Sequence, residues 1–156
     1  MTVIAVDPGS EQSAYLIWTG EKILDMGILE NETLLRHFKP SFLVFSYGLK
    51  PSDLILLIEM PESFGMPVGK TIFETVFWIG RFCQTWQGEF KRVFRSQIKM
   101  HFCNSMRAKD SNIRQALINR FGSPGTKKNP GILYGVKKDL WSALAIAVFF
   151  MEEGVE

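Results

Sequence analysis

The segment Val3-Ile-Ala-Val-Asp7-Pro-Gly-Ser10 decides the fold of this chain of 156 residues. Its four apolar residues, most of them β-branched, predict a strand that is buried on both faces. The strand runs into Asp7, and the Pro-Gly pair that follows ends regular pairing and turns the chain. In open α/β sheets, the carboxyl end of a central strand is where ligands bind and chemistry occurs. Asp7 is therefore the first candidate functional residue.

The same pattern occurs again in the middle of the chain. The apolar run from Leu54 to Ile58 predicts another buried strand, and it is followed at once by Glu59, Met60 and Pro61. A third acid, Asp139, stands at or next to the start of a helix that runs to about residue 152. If the two strands are neighbours and the helix begins above them, the three carboxylates converge. Taken singly, each acid is better explained as a turn former or a helix cap, and only the joint pattern favours a functional site.

Convergence of the three acids predicts a metal site. Three carboxylates within a few ångströms stay ionised only when cations hold them. Hard oxygen ligands of this kind suit Mg²⁺, for which Mn²⁺ can substitute. Two such ions clamp the attacking water and the leaving oxygen of a phosphodiester. We therefore expect two Mg²⁺ ions per site, held by Asp7, Glu59 and Asp139.

The remaining segments predict one α/β domain over residues 1–156, with a mixed sheet flanked by helices. Short turns indicate that strands over 13–18 and 22–28 form an antiparallel meander with the first strand, and the later strands are expected to be parallel. Helices are expected from a cap at Asn31, over 71–86, from a cap at Ser96, from 110 or 111 to 121, and from Asp139. For residues 40–51, an irregular segment and a brief helix both remain open.

Charge divides the chain. Residues 1–90 hold 6 Lys/Arg and 11 Asp/Glu, whereas residues 91–156 hold 12 Lys/Arg and 5 Asp/Glu. A basic half beside an acidic half indicates a polyanionic partner such as nucleic acid, with chance drift of surface charge as the alternative.

The two cysteines have no CxxC spacing, the N-terminus has no basic signal-peptide region, and the apolar runs are shorter than the roughly 20 residues of a membrane span. We expect a cytoplasmic protein without membrane contact.

The three acidic segments, together with Ala143-Leu-Ala-Ile-Ala147 after the last acid, resemble the signatures of RuvC-like Holliday-junction resolvases, most closely the phage-encoded type. The likeness extends through Arg95-Ser-Gln-Ile-Lys99 and residues 108–117, so it covers most of the chain. It implies an RNase H-like fold with a five-stranded mixed sheet, a homodimer, and Mg²⁺-dependent cleavage of two opposed strands in a four-way DNA junction. A phage-encoded member would act in the host cytoplasm.

The resemblance also assigns residues. Asp7, Glu59 and Asp139 match the metal-binding acids of the family, and Lys109 falls near the basic residue that members bring to the scissile phosphate. The family pattern has a second acid at the position of Ser142, so one expected ligand is missing here. Ser142 itself or Asp110 is a possible extra ligand. Glu11, Glu62 or water could also fill the place.

The missing acid leaves more than one function open. The first is a metal-dependent endonuclease acting on four-way or other branched DNA. The second is a branched-DNA-binding protein whose catalysis is weak or absent because Ser142 replaces the acid. An actin-like phosphotransferase fragment is set aside, since that fold needs a second phosphate loop and a far longer chain.

Candidate DNA contacts come from basic residues in the C-terminal half and from one aromatic ring: Lys99, Arg107, Lys127, Lys128, Lys137, Lys138 and Phe64. Basic side chains at phosphates give salt-dependent, mostly sequence-independent affinity, whereas the alternative is a solvated loop. Phe64, beside Gly65 and Met66, is a candidate wedge that unstacks bases, or else a cap on the core. The helix over 71–86 is apolar around most of its circumference, so it either faces a second subunit or is simply buried on the sheet.

Overall fold

A five-stranded mixed sheet forms the centre of the computed structural model, which describes residues 1–154. The strands are β1 (Thr2–Asp7), β2 (Gln12–Trp18), β3 (Ile23–Glu30), β4 (Leu54–Met60) and β5 (Glu89–Phe94), in the order β3-β2-β1-β4-β5. The first three strands pair antiparallel, and β1, β4 and β5 are parallel. The mixed sheet predicted from the sequence is confirmed.

In the described part of the chain, six helices flank the sheet: α1 (Asn31–His37), α2 (Pro40–Tyr47), α3 (Lys70–Thr85), α4 (Arg95–Cys103), α5 (Asp110–Phe121) and α6 (Leu140–Glu153). The undecided segment 40–51 contains α2 and ends at the first residue of a short 3₁₀ turn, Pro51–Asp53. Pro40 begins α2 because its fixed φ suits the first helical position, and Gly48 ends it at φ 67°. Within residues 1–154, no helix is both long and apolar enough to cross a lipid bilayer.

The alternating side chains of the central strands divide between two cores. Val3 and Ala5 of β1 pack on the face covered by α4, α5 and α6, and Ile4 and Val6 pack on the face covered by α1, α2 and α3. Helix α6 is buried on nearly all sides, since its alanines let it lie close against the sheet. Burial on both faces holds β1 and β4 rigidly, and these two strands end at Asp7 and just past Glu59.

Two helix caps expected from the sequence are wrong. Glu30, not Asn31, stands at the N-cap position of α1, and Phe94, not Ser96, stands at that of α4. Both expected caps lie inside the first helical turn, and their side chains make longer-range hydrogen bonds instead. These bonds lie around the candidate site.

Candidate active site

Neighbouring parallel strands deliver two acids to one edge of the sheet. Val6 of β1 pairs with Ile58 of β4, so Asp7 and Glu59 follow at the same level. Both strands end here, as the sequence pattern predicted, and a cavity of about 210 Å³ lies between these acids and residues Ile72 and Thr75 of α3. This edge is where parallel sheets place their functional groups.

A buried polar network holds the turn that follows Asp7. The Gly9 N–H donates to Ser13 Oγ at 3.1 Å, the Ser13 hydroxyl donates to Asn31 Oδ1 at 2.6 Å, and Asn31 Nδ2 donates to the Gly9 carbonyl at 2.9 Å. Gly9 is required because a Cβ there would lie 2.3 Å from the Gln12 carbonyl oxygen. The network fixes the backbone directly after Asp7.

Asp139 brings the third charge to the same site. It is exposed and stands at the N-cap position of α6, and its carbonyl accepts the N–H of Ala143 at 3.1 Å. The pKa of Asp7 is raised from 3.8 to about 7, first by burial and then by the negative charges of Glu59 and Asp139. The structure therefore brings the three predicted acids close enough for their charges to act on one carboxyl group.

Arg95 lies among these acids, whereas the sequence indicated it only as one of the basic residues near the site, within the stretch 95–99 that resembles the resolvase family. Its Nη1 donates to Glu59 Oε2 at 3.4 Å and to Ser142 Oγ at 3.3 Å, and its Nη2 donates to Asp110 Oδ1. Burial is the first cause that raises the pKa of Glu59, and the charge of Arg95 opposes that rise. The available signal was position: Arg95 directly follows β5, the third parallel strand of the sheet.

The possible substitute ligands differ in their surroundings. Asp110 and Ser142 are both bound by Arg95, and a hydrogen bond from Ser142 acts to lower the pKa of Asp7. Glu62 accepts the Ser96 N–H at 3.1 Å and the Ser96 hydroxyl at 2.7 Å, so its carboxylate is occupied at the start of α4. Glu11 is exposed and lines a different cavity. Only Asp110 and Ser142 lie in the same hydrogen-bonded group as Glu59.

The donor set fits a hard divalent cation in its chemistry. Asp7 and Glu59 are largely buried carboxylates, and the pKa values of both are raised. A bound cation would stabilise their ionised forms and so offset the cost of burial and the repulsion from neighbouring acids. Within residues 1–154, no group of three or more His, Cys, Asp or Glu side chains is placed so that it could hold a metal ion. Mg²⁺ usually keeps several waters and binds through one or two carboxylates together with substrate phosphates.

Basic residues surround the site to different degrees. Lys137 and Lys138 are exposed, directly precede Asp139, and line a groove of about 530 Å³ that reaches residues 26–28 of β3. Lys109 is exposed at the N-cap position of α5, beside Asp110. Among the other predicted DNA contacts, Lys99 is partly buried and three are exposed: Arg107, Lys127 and Lys128.

Two apolar features near the site are uncovered. Phe64 is 70% exposed in the loop after β4, so the alternative in which it caps the core is wrong. Helix α3 buries Ile79 and Phe82 against the sheet, while Phe73 and Phe77 are 65% and 62% exposed. One face of α3 thus belongs to the core, and its other apolar face is exposed.

Comparison with known proteins gives matches in structure alone. No family model matches the chain, and no curated protein matches its sequence. A structure described as T. thermophilus RuvC in complex with Holliday junction substrate is 12% identical with a TM-score of 0.71, covering 99% of this chain and 94% of that one. The Thermus thermophilus RuvC structure is 15% identical with a TM-score of 0.64, covering 99% and 97%. The resemblance noted in the sequence is confirmed at the level of fold: this chain has the RNase H-like fold of RuvC.

Proposed function

We propose that this protein is a structure-selective endodeoxyribonuclease that resolves four-way (Holliday) or other branched DNA by metal-assisted hydrolysis of phosphodiester bonds. The observation that carries the proposal is the alignment of Asp7 and Glu59 at the carboxyl edge of neighbouring parallel strands, with the charge of Asp139 acting on Asp7. The fold supports it, since a RuvC of the same fold has been solved with a Holliday junction substrate. The phage-type likeness stays a prediction from the sequence.

Mg²⁺ is the proposed cofactor, with Mn²⁺ as a substitute. When bound, it supplies Lewis-acid polarisation of the phosphate and a more acidic water. Asp7 and Glu59 would hold it from the two parallel strands, and Asp139 from the start of α6. Lys109, exposed at the start of α5, would contact the scissile phosphate. The rigid strands and the network behind Asp7 would keep these groups oriented.

Branched DNA is the proposed substrate. Lys137 and Lys138 would contact phosphates beside the catalytic acids, and the other basic residues would extend the contact along the arms: Lys99, Arg107, Lys127 and Lys128. Phe64 would enter the branch point, because an exposed ring on a loop can insert between base steps and unstack them. These contacts carry little base information, so selection would rest on the shape of the junction.

A homodimer is proposed because resolution requires two opposed cuts, and each chain carries one set of acids. The uncovered face of α3 is the candidate interface, since Phe73 and Phe77 are large, apolar and exposed there. Clustered exposed apolar residues of this kind mark association surfaces. A two-fold dimer would use the same face of both copies.

A second candidate function is a branched-DNA-binding protein with weak or absent catalysis. It is favoured by one observation: the place of the missing acid holds Ser142, whose hydroxyl is bound by Arg95. In this alternative, the DNA contacts and the dimer are retained, and the acids hold a metal poorly or not at all.

The deciding experiment incubates the protein with a labelled four-way junction and a linear duplex, in Mg²⁺, Mn²⁺ or EDTA. We expect cuts in the junction alone, dependent on metal and lost in Asp7→Asn. Glu21→Gln, an exposed residue in the turn between β2 and β3, is the matched control and should cut normally. Tight junction binding without cleavage in either metal would contradict the nuclease and leave the binding protein.

A further inference from the structure

Arg95 is the cation already built into the site. Its guanidinium donates to Glu59, Ser142 and Asp110, which come from β4, α6 and α5. Its side chain is 23% exposed, although Asp110 on its outer side is 80% exposed. The charges of Glu59, Asp110 and Asp7 all favour its protonated form. One positive group is therefore surrounded by acids from separate elements.

The guanidinium is held in place by rigid elements. Arg95 is the first residue of α4 and directly follows β5, which pairs with β4 through Glu59 and Met60. Glu62 accepts both the N–H and the hydroxyl of Ser96, so the first turn of α4 is tied to the loop after β4. Arg95 cannot leave the acids without breaking contacts to three elements.

Charge balance limits how many further cations the acids need. Asp7, Glu59, Asp139 and Asp110 carry a formal charge of −4 when ionised, and Arg95 reduces it to −3. A single divalent ion would leave one negative charge, which the 80% exposed Asp110 keeps in contact with solvent, whereas two would leave a net positive charge among the buried groups. Strong Coulomb interactions at these short distances make such an excess unfavourable.

Ser142 completes this arrangement. Its hydroxyl accepts from Arg95 Nη1 at 3.3 Å, so it contacts the resident cation without adding charge. A carboxylate at this position would stand beside the guanidinium and form an ion pair with it. Ser142 therefore removes one negative charge from the site, and Arg95 adds one positive charge that comes from the protein itself. Both differences reduce the number of metal ions that the acids need.

We propose that Arg95 permanently takes the place that a two-metal nuclease gives to its second cation, so that each site binds one divalent ion. The inference rests on the proposed function in taking Asp7, Glu59 and Asp139 as metal ligands, and it replaces the two ions expected from the sequence with one. Arg95 donates hydrogen bonds to Glu59 and Ser142 and so holds these side chains in place, which makes it a positioning residue.

Metal stoichiometry tests the proposal without reference to cleavage. Mn²⁺ titration, followed by calorimetry and by electron paramagnetic resonance, should give one ion per wild-type chain and no signal from coupled ions. Ser142→Asp should still bind one, because Arg95 pairs with the new carboxylate. The double variant Arg95→Gln with Ser142→Asp should bind two coupled ions. Arg92→Gln, an exposed arginine on β5, is the matched control and should behave as wild type.

Three results would overturn the proposal: two coupled ions or none in the wild type, two in Ser142→Asp alone, or one in a folded double variant. The wild-type measurement needs no substitution, so it decides even if a variant fails to fold. Junction cleavage is scored separately. One bound Mn²⁺ without cleavage supports the single-ion site and contradicts the nuclease, whereas cleavage with two coupled ions does the reverse.

Discussion

Replacement of Asp7 by Asn should stabilise the metal-free protein, and the gain should grow with pH. The pKa of Asp7 is raised from 3.8 to about 7 in the folded protein, first by burial and then by Glu59 and Asp139. The folded state therefore holds this proton more tightly than the unfolded chain does. Stability is lost as the pH rises from 3.8 to about 7, and the whole penalty is present above that range.

The size of the effect follows from these two pKa values. The interval from 3.8 to about 7 corresponds to about 4 kcal/mol of unfolding free energy, at roughly 1.4 kcal/mol per pH unit. At about pH 5 the penalty is roughly 2 kcal/mol, and at about pH 8.5 it is complete. The gain from Asp7→Asn should therefore be larger at the higher pH by about 2 to 3 kcal/mol, as an order of magnitude.

Urea unfolding in EDTA at both pH values measures this difference, with Glu21→Gln as the control that removes an exposed carboxylate. Subtracting wild type from variant at each pH cancels the titration of the groups that do not interact with Asp7. Added Mg²⁺ should reduce the gain at high pH, since a ligand of the native wild type stabilises it by mass action. A gain that is the same at both pH values, or larger at the lower one, would refute the electrostatic description of the site.

Three further outcomes test the DNA contacts and the dimer. Changing Lys127 and Lys128 together to Ala should remove two phosphate contacts and so lower the slope of log affinity against log salt by about 2. Filter binding at several salt concentrations measures this slope. An unchanged slope would show that these lysines do not contact the DNA. Phe64→Ala should keep duplex affinity but reduce base unstacking at the branch point, reported by 2-aminopurine fluorescence, and an undiminished signal would exclude the wedge. Phe77→Glu should yield monomers in sedimentation, whereas Phe45→Glu, 92% exposed on α2, should not; a persistent dimer would exclude the α3 face.

The strands and two of the acids could be predicted because their signals are local. Buried strands such as β1 and β4 appear as short apolar runs, and the Pro residues after Asp7 and Glu59 mark their ends. The short turns between the first three strands correctly predicted that neighbouring strands pair antiparallel, as a meander. Helix α2 was left undecided because its apolar residues follow no helical period, so only Pro40 and Gly48 mark its ends.

The rest of the site depends on contacts between distant segments. Asn31 and Ser96 have the side chains of helix caps, but the Gly9 carbonyl and the Glu62 carboxylate offered them stronger partners. Arg95 and Glu59 are 36 residues apart in sequence, and they meet only because β5 lies beside β4 in parallel. The position of Arg95 directly after β5 was a local signal, but the place of β5 beside β4 depends on contacts between distant segments.

Mapping the cuts on all four strands of an end-labelled immobile junction tests the resolvase proposal most directly. In Mg²⁺, the wild type should introduce one cut in each of two opposed strands, symmetrically about the branch point, and leave linear duplex products that can be ligated. Asp7→Asn should leave all four strands intact while still binding the junction. Cuts scattered over all strands, equal cutting of linear duplex, or no cuts in either Mg²⁺ or Mn²⁺ would contradict it.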